Sequence, residues 1–285
     1  MNTTRISPAR ELGLLIGEAW AILVGDMRNL IISLLFPPAA AAIVIWIAGE
    51  NMFVSCESSK SACFIIVCAA IWGGLFNSIQ TIVKERDNVK RDYVSGALRI
   101  GCYTASRAIV QFGLCVVQSA MLCLSFWGIR AVYGNELPAE GLLFSSVIFE
   151  YYITVLLIMY SADTLGLMIS CFVKSEQLAS QLSPYILIVQ LLFSGVLFEM
   201  KGKSEAVSAL MLSRWGMEAL GGTTGLNELP LALQKEFPMI PHKPADAFLA
   251  TPEHLVKVWL ILLLFVFVPL IVGTILLRRV KDDTR

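Results

Sequence analysis

Charge is scarce in this sequence. Asp, Glu, Lys and Arg make up 15% of its 285 residues, while hydrophobic residues make up 56%. Soluble domains carry roughly 25% charged residues, and a mean hydropathy of +0.72 places the chain among membrane proteins before any motif is read. The few charges also cancel, 22 basic against 22 acidic, which excludes the basic footprint of a nucleic-acid-binding protein. Histidine is limited to His242 and His254. Neither has a cysteine at metal-ligand spacing, so no metal centre is expected, and no Ser–His–Asp or paired-carboxylate site emerges. A G-x-x-x-x-G-K-[ST] phosphate loop is lacking as well. The near match Gly202-Lys203-Ser204 has Leu197 where the earlier glycine belongs.

What the sequence does have is long apolar runs. A hydrocarbon core about 30 Å thick needs roughly 20 apolar residues in a helix, and residues 29–48, 62–83, 108–129, 142–173, 182–198 and 258–277 qualify. The expected fold class is therefore all-α: a polytopic membrane protein with six transmembrane helices and both termini on one side. Basic residues assign the side. Arg5, Arg10, Arg28, the cluster from Lys84 to Arg107, Lys174, Arg278, Arg279, Lys281 and Arg285 fall together, whereas the short loops opposite hold only Lys60 and, at an edge, Arg130. The termini are thus expected in the cytoplasm, and Trp46, Trp127 and Trp259 fall at outer span ends, where aromatic side chains settle. Residues 199–257 form a long outer loop, in which "SEAVSALMLSRWGMEALGG" has helical apolar spacing; a short helix dipping back into the membrane is expected there, followed by an external cap.

Six of the seven cysteines lie in or beside apolar segments, where they serve as small hydrophobes. Cys56 lies in a short loop near Cys63, which leaves a disulfide between them open. About 28 residues bearing Glu11, Glu18 and Asp26 precede the first apolar run, unlike a cleavable signal. Within them Ser7 suits a helix cap and Pro8 a first helical position. Leu12, Leu15, Ile16, Ala19, Trp20, Leu23 and Met27 follow helical spacing, so residues 1–28 read as an amphipathic segment at the membrane surface.

Between spans two and three, residues 84–92 carry seven charges in nine positions, four basic and three acidic. Their near-cancellation excludes a polybasic lipid anchor. A solvated loop would account for the charges alone, but the surrounding sequence carries more. "AIWGGLFNSIQTI" runs directly into "VKERDNVKRDYVSGALRIGCY", and in the same order come "GDMRNLIISLLFPP" before it and "LGLMISCFVKSEQLASQLSPYILIVQLLFSGVLF" and "LSRWGMEAL" after it. These blocks together resemble the type-2 permeases of ABC transporters, close to the G subfamily and its bacterial relatives, over nearly the whole chain.

The resemblance implies a coupling helix docked on an ATP-binding subunit. It would be formed here by Glu85, Arg86, Lys90, Arg91 and Asp92, with residues 10–27 as the connecting helix beside it. A mixed-sign surface sets orientation and register at a protein contact. It also implies a central cavity lined by spans two and five, with Trp72, Phe76, Asn77, Gln190 and Phe193 as candidates, closed outward by Val196 and Leu197 after the Phe-Ser-Gly block. The implied protein is a permease in a bacterial cytoplasmic membrane. It would pair with a second, identical or different, permease and two ATPase subunits, and export an amphipathic or lipophilic small molecule, lipid or peptide. No cofactor is expected in this chain, since six spans in 285 residues leave no room for a nucleotide-binding domain; ATP and Mg would belong to the partner.

Polar residues inside the spans are Asn77, Gln80, Gln111, Gln118 and Gln190, for which helix–helix hydrogen bonding is the general expectation, and two carboxylates. Glu150 lies near an outer end, where snorkelling to the interface accounts for it, while Asp163 has no role assigned by sequence. An ion-coupled carrier would use one of these carboxylates, but it would also show internal repeats or broken helices; of these only Pro37-Pro38 in span one offers a break. A non-transporting scaffold or intramembrane enzyme would leave residues 84–92 unexplained.

Overall fold

A computed structural model describes residues 6–48, 53–133, 140–198, 200–231 and 244–282, without the side chains of 44, 45, 47, 48 and 125–133. The side chains of Trp127 and Arg130, together with His242 and residues 199 and 232–243 of the outer loop, lie outside the described residues. The regular structure described is helical throughout, with no strand. In chain order it comprises α1 (Pro8–Gly25), α2 (Met27–Ala48), α3 (Cys56–Ser78), α4 (Thr81–Lys84), α5 (Arg86–Val94), α6 (Ile100–Tyr133), α7 (Val147–Phe172), α8 (Glu176–Leu192), α9 (Lys203–Ser208), α10 (Leu212–Thr224) and α11 (Pro252–Leu277).

Ser7 caps α1, its hydroxyl accepting from the Arg10 N–H at 3.4 Å, with Pro8 in the first turn. The chain then bends by 80° into α2. Asp26 holds the corner, its carboxylate accepting from the Asn29 N–H at 3.3 Å and the Asn29 side-chain amide at 2.6 Å. The inward face of α1 is narrower than its periodicity suggests. Ala19 is buried, but Trp20 points outward, as does Met27 beyond the bend at the start of α2, and Glu11 is drawn in because its carboxylate accepts from the Arg99 N–H at 2.7 Å.

The centre of the molecule is the contact between α3 and α7, where small residues let two backbones touch. A Cβ on Gly74 would lie 2.0 Å from the Met159 carbonyl oxygen, and one on Gly166 would lie 2.3 Å from Ser78 Oγ and 2.9 Å from the Leu75 carbonyl oxygen. Around this seam lie Ile66, Val67, Ala70, Ile71, Leu75, Val155, Ile158 and Met159, with Val258 and Leu262 of α11 packed behind.

The prolines do not break their helices. Pro37 lacks the N–H that would bond the Ser33 carbonyl four residues back; the Gln118 amide of α6 donates to that carbonyl instead, at 2.9 Å. Pro269 leaves the Phe265 carbonyl free in the same way, and the Thr164 hydroxyl of α7 donates to it at 3.2 Å. Span one therefore stays helical through Pro37 and Pro38, because a neighbouring helix takes over the bond that proline removes.

Helix lengths depart from the apolar runs. The spans placed at 62–83, 108–129 and 258–277 belong to helices that start at Cys56, Ile100 and Pro252, since polar residues continue a helix beyond the hydrocarbon. The span placed at 182–198 is helical from Glu176 only to Leu192. It stops because Gly195 turns the backbone into the left-handed region, φ 78°. Among the described residues four helices are long and apolar enough to cross a membrane, or up to five if the bent α1–α2 pair is one span; α8, with 17 residues, is shorter. Cys56 and Cys63 are both free thiols, two helical turns apart on α3 and so about 10 Å from each other along the axis.

The end of the bundle that carries α4 and α5 also gathers both ends of the described chain. The Cys102 thiol donates to the Pro8 carbonyl at 3.8 Å. Val89 and Tyr93 of α5 share a cluster with Ile100, Tyr103, Leu277 and Val280.

Candidate functional site

The charged run folds into two short helices pressed onto the bundle. The chain breaks after α3, which frees the first N–H groups of α4. Ser170 of α7 meets them, its hydroxyl accepting from Ile82 and Val83 at 3.0 Å each. A few residues on, Arg86 turns inward and donates to the Cys171 carbonyl at 2.8 Å and the Val173 carbonyl at 3.3 Å, at the end of α7. Glu85 turns inward too. One of its oxygens accepts from the Tyr103 hydroxyl at 2.5 Å and from Arg107 at 2.6 Å. Arg107, 3% exposed, also lies 3.6 Å from Glu18 of α1, and Glu11 of α1 pairs with Arg99 at 3.2 Å. Three elements that are distant in sequence are thus tied at one point.

The resemblance assigns Glu85 and Arg86 to the coupling segment, and the fold gives both of them partners within the chain. Both are occupied by the bundle itself, for the physical reason that a guanidinium and a carboxylate near a membrane core need close polar partners. Lys84, Asp87, Asn88 and Arg91 are the exposed positions of the run. Lys90 and Asp92 are intermediate, with Asp92 pairing to its neighbour Arg91 at 3.1 Å. The outward face spans two turns of α5, whereas the inward face is fixed by Arg86 and Val89.

Of the cavity candidates, the structure groups Trp72 and Phe76 and separates Gln190. Trp72 and Phe76, one turn apart on α3, stack at 5.9 Å, and Phe36 of α2 closes on Trp72 at 6.1 Å. All three are substantially exposed on one side of the bundle. Asn77 lies beside them but is engaged in a reciprocal amide pair with Gln118: Asn77 donates at 2.6 Å and Gln118 returns a bond at 3.1 Å. Gln190 is buried. Its side-chain oxygen accepts from the Ser213 N–H at 3.1 Å, and the Ser213 hydroxyl donates to its carbonyl. With Ser208, which donates to the Phe193 carbonyl at 2.8 Å, this caps the open carbonyls at the end of α8. Phe193 is half-buried at that terminus; Val196 is half-buried and Leu197 exposed in the non-helical stretch beyond it.

The other end of the bundle is organised by α10, which tucks between α3, α7 and α11 and is buried along most of its length. Glu150 is the anchor. It is 0% exposed and accepts from the Leu143 N–H and the Thr223 hydroxyl, both at 2.9 Å. It does not snorkel, because two donors already satisfy it inside. Tyr151 and Cys63 both bond the Thr224 hydroxyl. At the opposite end of α10, Arg214 donates to Glu218 at 2.9 Å and to the Glu205 carbonyl at 3.1 Å. His254, which the sequence places in a loop, lies in the first turn of α11, 3.9 Å from Glu218. No metal-binding group of His, Cys, Asp and Glu exists among the described residues.

Sequence reasoning missed Tyr103, Arg107 and Glu18. Their signal was a lone arginine one turn beyond a tyrosine, just inside an apolar run.

A bundle of long apolar helices, with a charged helical clip at one end and the buried helix α10 at the other, has the build of a polytopic membrane protein. The family model described as "ABC-2 type transporter" matches residues 12–223, and the chain belongs to that family. It is similar to "ABC transporter G family member 10" of Dictyostelium discoideum, 26% identical over 163 residues, or 56% of this chain and 10% of that protein. It is also similar to "ABC transporter ATP-binding/permease protein Rv1747" of Mycobacterium tuberculosis (strain ATCC 25618 / H37Rv), at 26% identity over 163 residues, 56% of this chain and 18% of that protein. The chain thus aligns with less than a fifth of the length of either relative.

Proposed function

We propose that this chain is the membrane permease of an ABC exporter, driven by ATP that a partner subunit binds with Mg and hydrolyses. The observation that carries the reading is the division of labour in residues 84–92. Glu85 and Arg86 clamp the run to α6 and α7, leaving the exposed face of α5 with Lys84, Asp87, Asn88 and Arg91 as a rigid, mixed-sign surface. Such a surface suits an ATPase, because a contact that transmits motion needs fixed register. Through Val89 and Tyr93 any displacement of α5 bears directly on α6 and the end of α11.

A second permease, identical or related, would meet the face that carries Trp72, Phe76 and the exposed Tyr185 and Ile188 of α8, enclosing an aromatic-lined cavity. That lining suits an amphipathic or lipophilic cargo. Both termini would lie in the cytoplasm of a bacterial cell, at the α5 end. ATP-driven closure of the ATPases would favour one of two packings of the bundle, a shift biased by differential contacts. An ion-coupled carrier would have to work through Asp163, since Glu150 is committed to Leu143 and Thr223.

The test is charge reversal of the exposed face in the full complex. Lys84→Glu with Arg91→Glu should leave the purified permease as stable as wild type and abolish transport and substrate-stimulated ATP hydrolysis. Wild-type transport by that double variant, or robust ATP hydrolysis by this chain alone, would overturn the reading.

A further inference from the structure

Asp163 stands in the middle of α7, inside the closest helix contact of the molecule. It is 0% exposed, and neither carboxylate oxygen has a hydrogen-bond partner. Every nearby donor is spent elsewhere. The Ser78 hydroxyl donates to the Asp163 main-chain carbonyl at 2.5 Å. The Thr164 hydroxyl donates to the Ser161 and Phe265 carbonyls at 3.0 and 3.2 Å. The Tyr160 hydroxyl donates to the Ala108 carbonyl at 3.3 Å, and the Asn77 and Gln118 amides donate to each other. Gln111, whose amide donates to the Asn77 carbonyl at 3.1 Å, leaves its own side-chain oxygen buried and unpartnered. Among the described residues the α3–α6–α7 core thus holds three orphan acceptor atoms, two of them on Asp163.

An ionised carboxylate cannot persist there. Removing it from water costs several kcal/mol, and among the described residues no basic side chain faces it. The titratable groups facing it are the Cys115 thiol from α6 and the Tyr160 phenol on α7 itself, neither of which can supply a positive charge. The facing residues of α3, Ser78 and Asn77, are uncharged, and α11 presents the Phe265 carbonyl. A single proton removes the charge and turns one carboxylate oxygen into a donor.

We propose that Asp163 is a proton-binding site of the packed bundle. Its carboxylate takes one proton from water as α3, α6 and α7 close on it, and returns that proton to water when they part. The site is independent of the ATPase partner, so its test stands apart from the reading of function above. Any transport cycle that separates α3 from α7 then becomes linked to pH.

Infrared spectra of the full chain in lipid nanodiscs at neutral pH provide the first test. Wild type should show the carbonyl band of a protonated, water-excluded carboxylic acid, shifted in D2O. Asp163→Asn should lose it and Glu150→Gln should keep it. The second test is reversible unfolding across neutral pH. An exposed aspartate is ionised there, so folding takes up a proton and stability falls as pH rises. For one proton the unfolding constant of wild type should grow about tenfold per pH unit relative to Asp163→Asn. No acid band in wild type, a band that survives Asp163→Asn, or equal pH slopes for the two proteins would overturn the proposal. A stability that depends on sodium rather than on pH would overturn it in favour of a bound cation.

Discussion

Glu85 and Arg107 meet at 2.6 Å across 22 positions of sequence, and the Tyr103 hydroxyl reaches the same carboxylate oxygen at 2.5 Å. The pair fixes where α4 ends and how α5 lies. Removing one partner of a buried pair leaves the other charge stranded, which typically costs about 3–5 kcal/mol; the partial solvent access of Glu85 sets its own effect at the lower end. Glu85→Ala should therefore destabilise the isolated permease, and Glu85→Arg more so. The swap of Glu85→Arg with Arg107→Glu should recover part of the loss. Denaturation of the purified chain measures this, and an unchanged Glu85→Ala protein would mean that the carboxylate serves a contact outside the chain.

The seam between α3 and α7 predicts a sharp contrast among glycines. Gly166→Ala would place a methyl 2.3 Å from Ser78 Oγ and 2.9 Å from the Leu75 carbonyl oxygen, forcing the helices apart at about 1–3 kcal/mol. A methyl on Gly113 of α6 would meet nothing within 4 Å. Gly113→Ala should be neutral, or stabilising by about 0.5–1 kcal/mol through helix propensity. Equal effects of the two substitutions on detergent melting would refute the close contact.

Glu150 should hold α10 in place. Glu150→Leu strands the Leu143 N–H and the Thr223 hydroxyl, and a buried donor left unmade costs about 1–3 kcal/mol. The expected result is easier labelling of a cysteine introduced at Ala219, a buried position of α10, with α7 still inserted. Unchanged labelling would show that apolar packing alone retains the helix.

Gln118 and Pro37 should behave as a coupled pair. Gln118→Leu leaves the Ser33 carbonyl without a donor, so it should destabilise in wild type. It should do so less in a Pro37→Ala background, where the restored N–H serves that carbonyl. A double-mutant cycle reads the coupling, with about 0.5–3 kcal/mol expected for residues in contact. Strict additivity would remove the proposed compensation.

The apolar runs placed the helices well because desolvation acts on whole segments and needs no knowledge of neighbours. The family was legible for the same reason: its blocks are contiguous. What could not be read was the rotation of each helix. Nothing local to Gln190 announces that Ser213, 23 positions later, folds back over it. Glu85 and Arg86 looked like surface charges because nothing local announces that Arg107 and the end of α7 wait beside them. Glu150 is similar, since its partners come from two different elements. A polar residue in a span is informative about cost, while its partner is set by tertiary packing.

The shortness of α8 reaches beyond the protein. Seventeen residues rise about 26 Å, some 4 Å less than a hydrocarbon layer of about 30 Å, and the first turn is already polar. If α8 crosses the bilayer, the bilayer thins beside it, at a modest cost for each ångström of mismatch. Lipids with shorter acyl chains lower that cost, so they should gather along α8, and the permease should settle in the thinner membranes available to it.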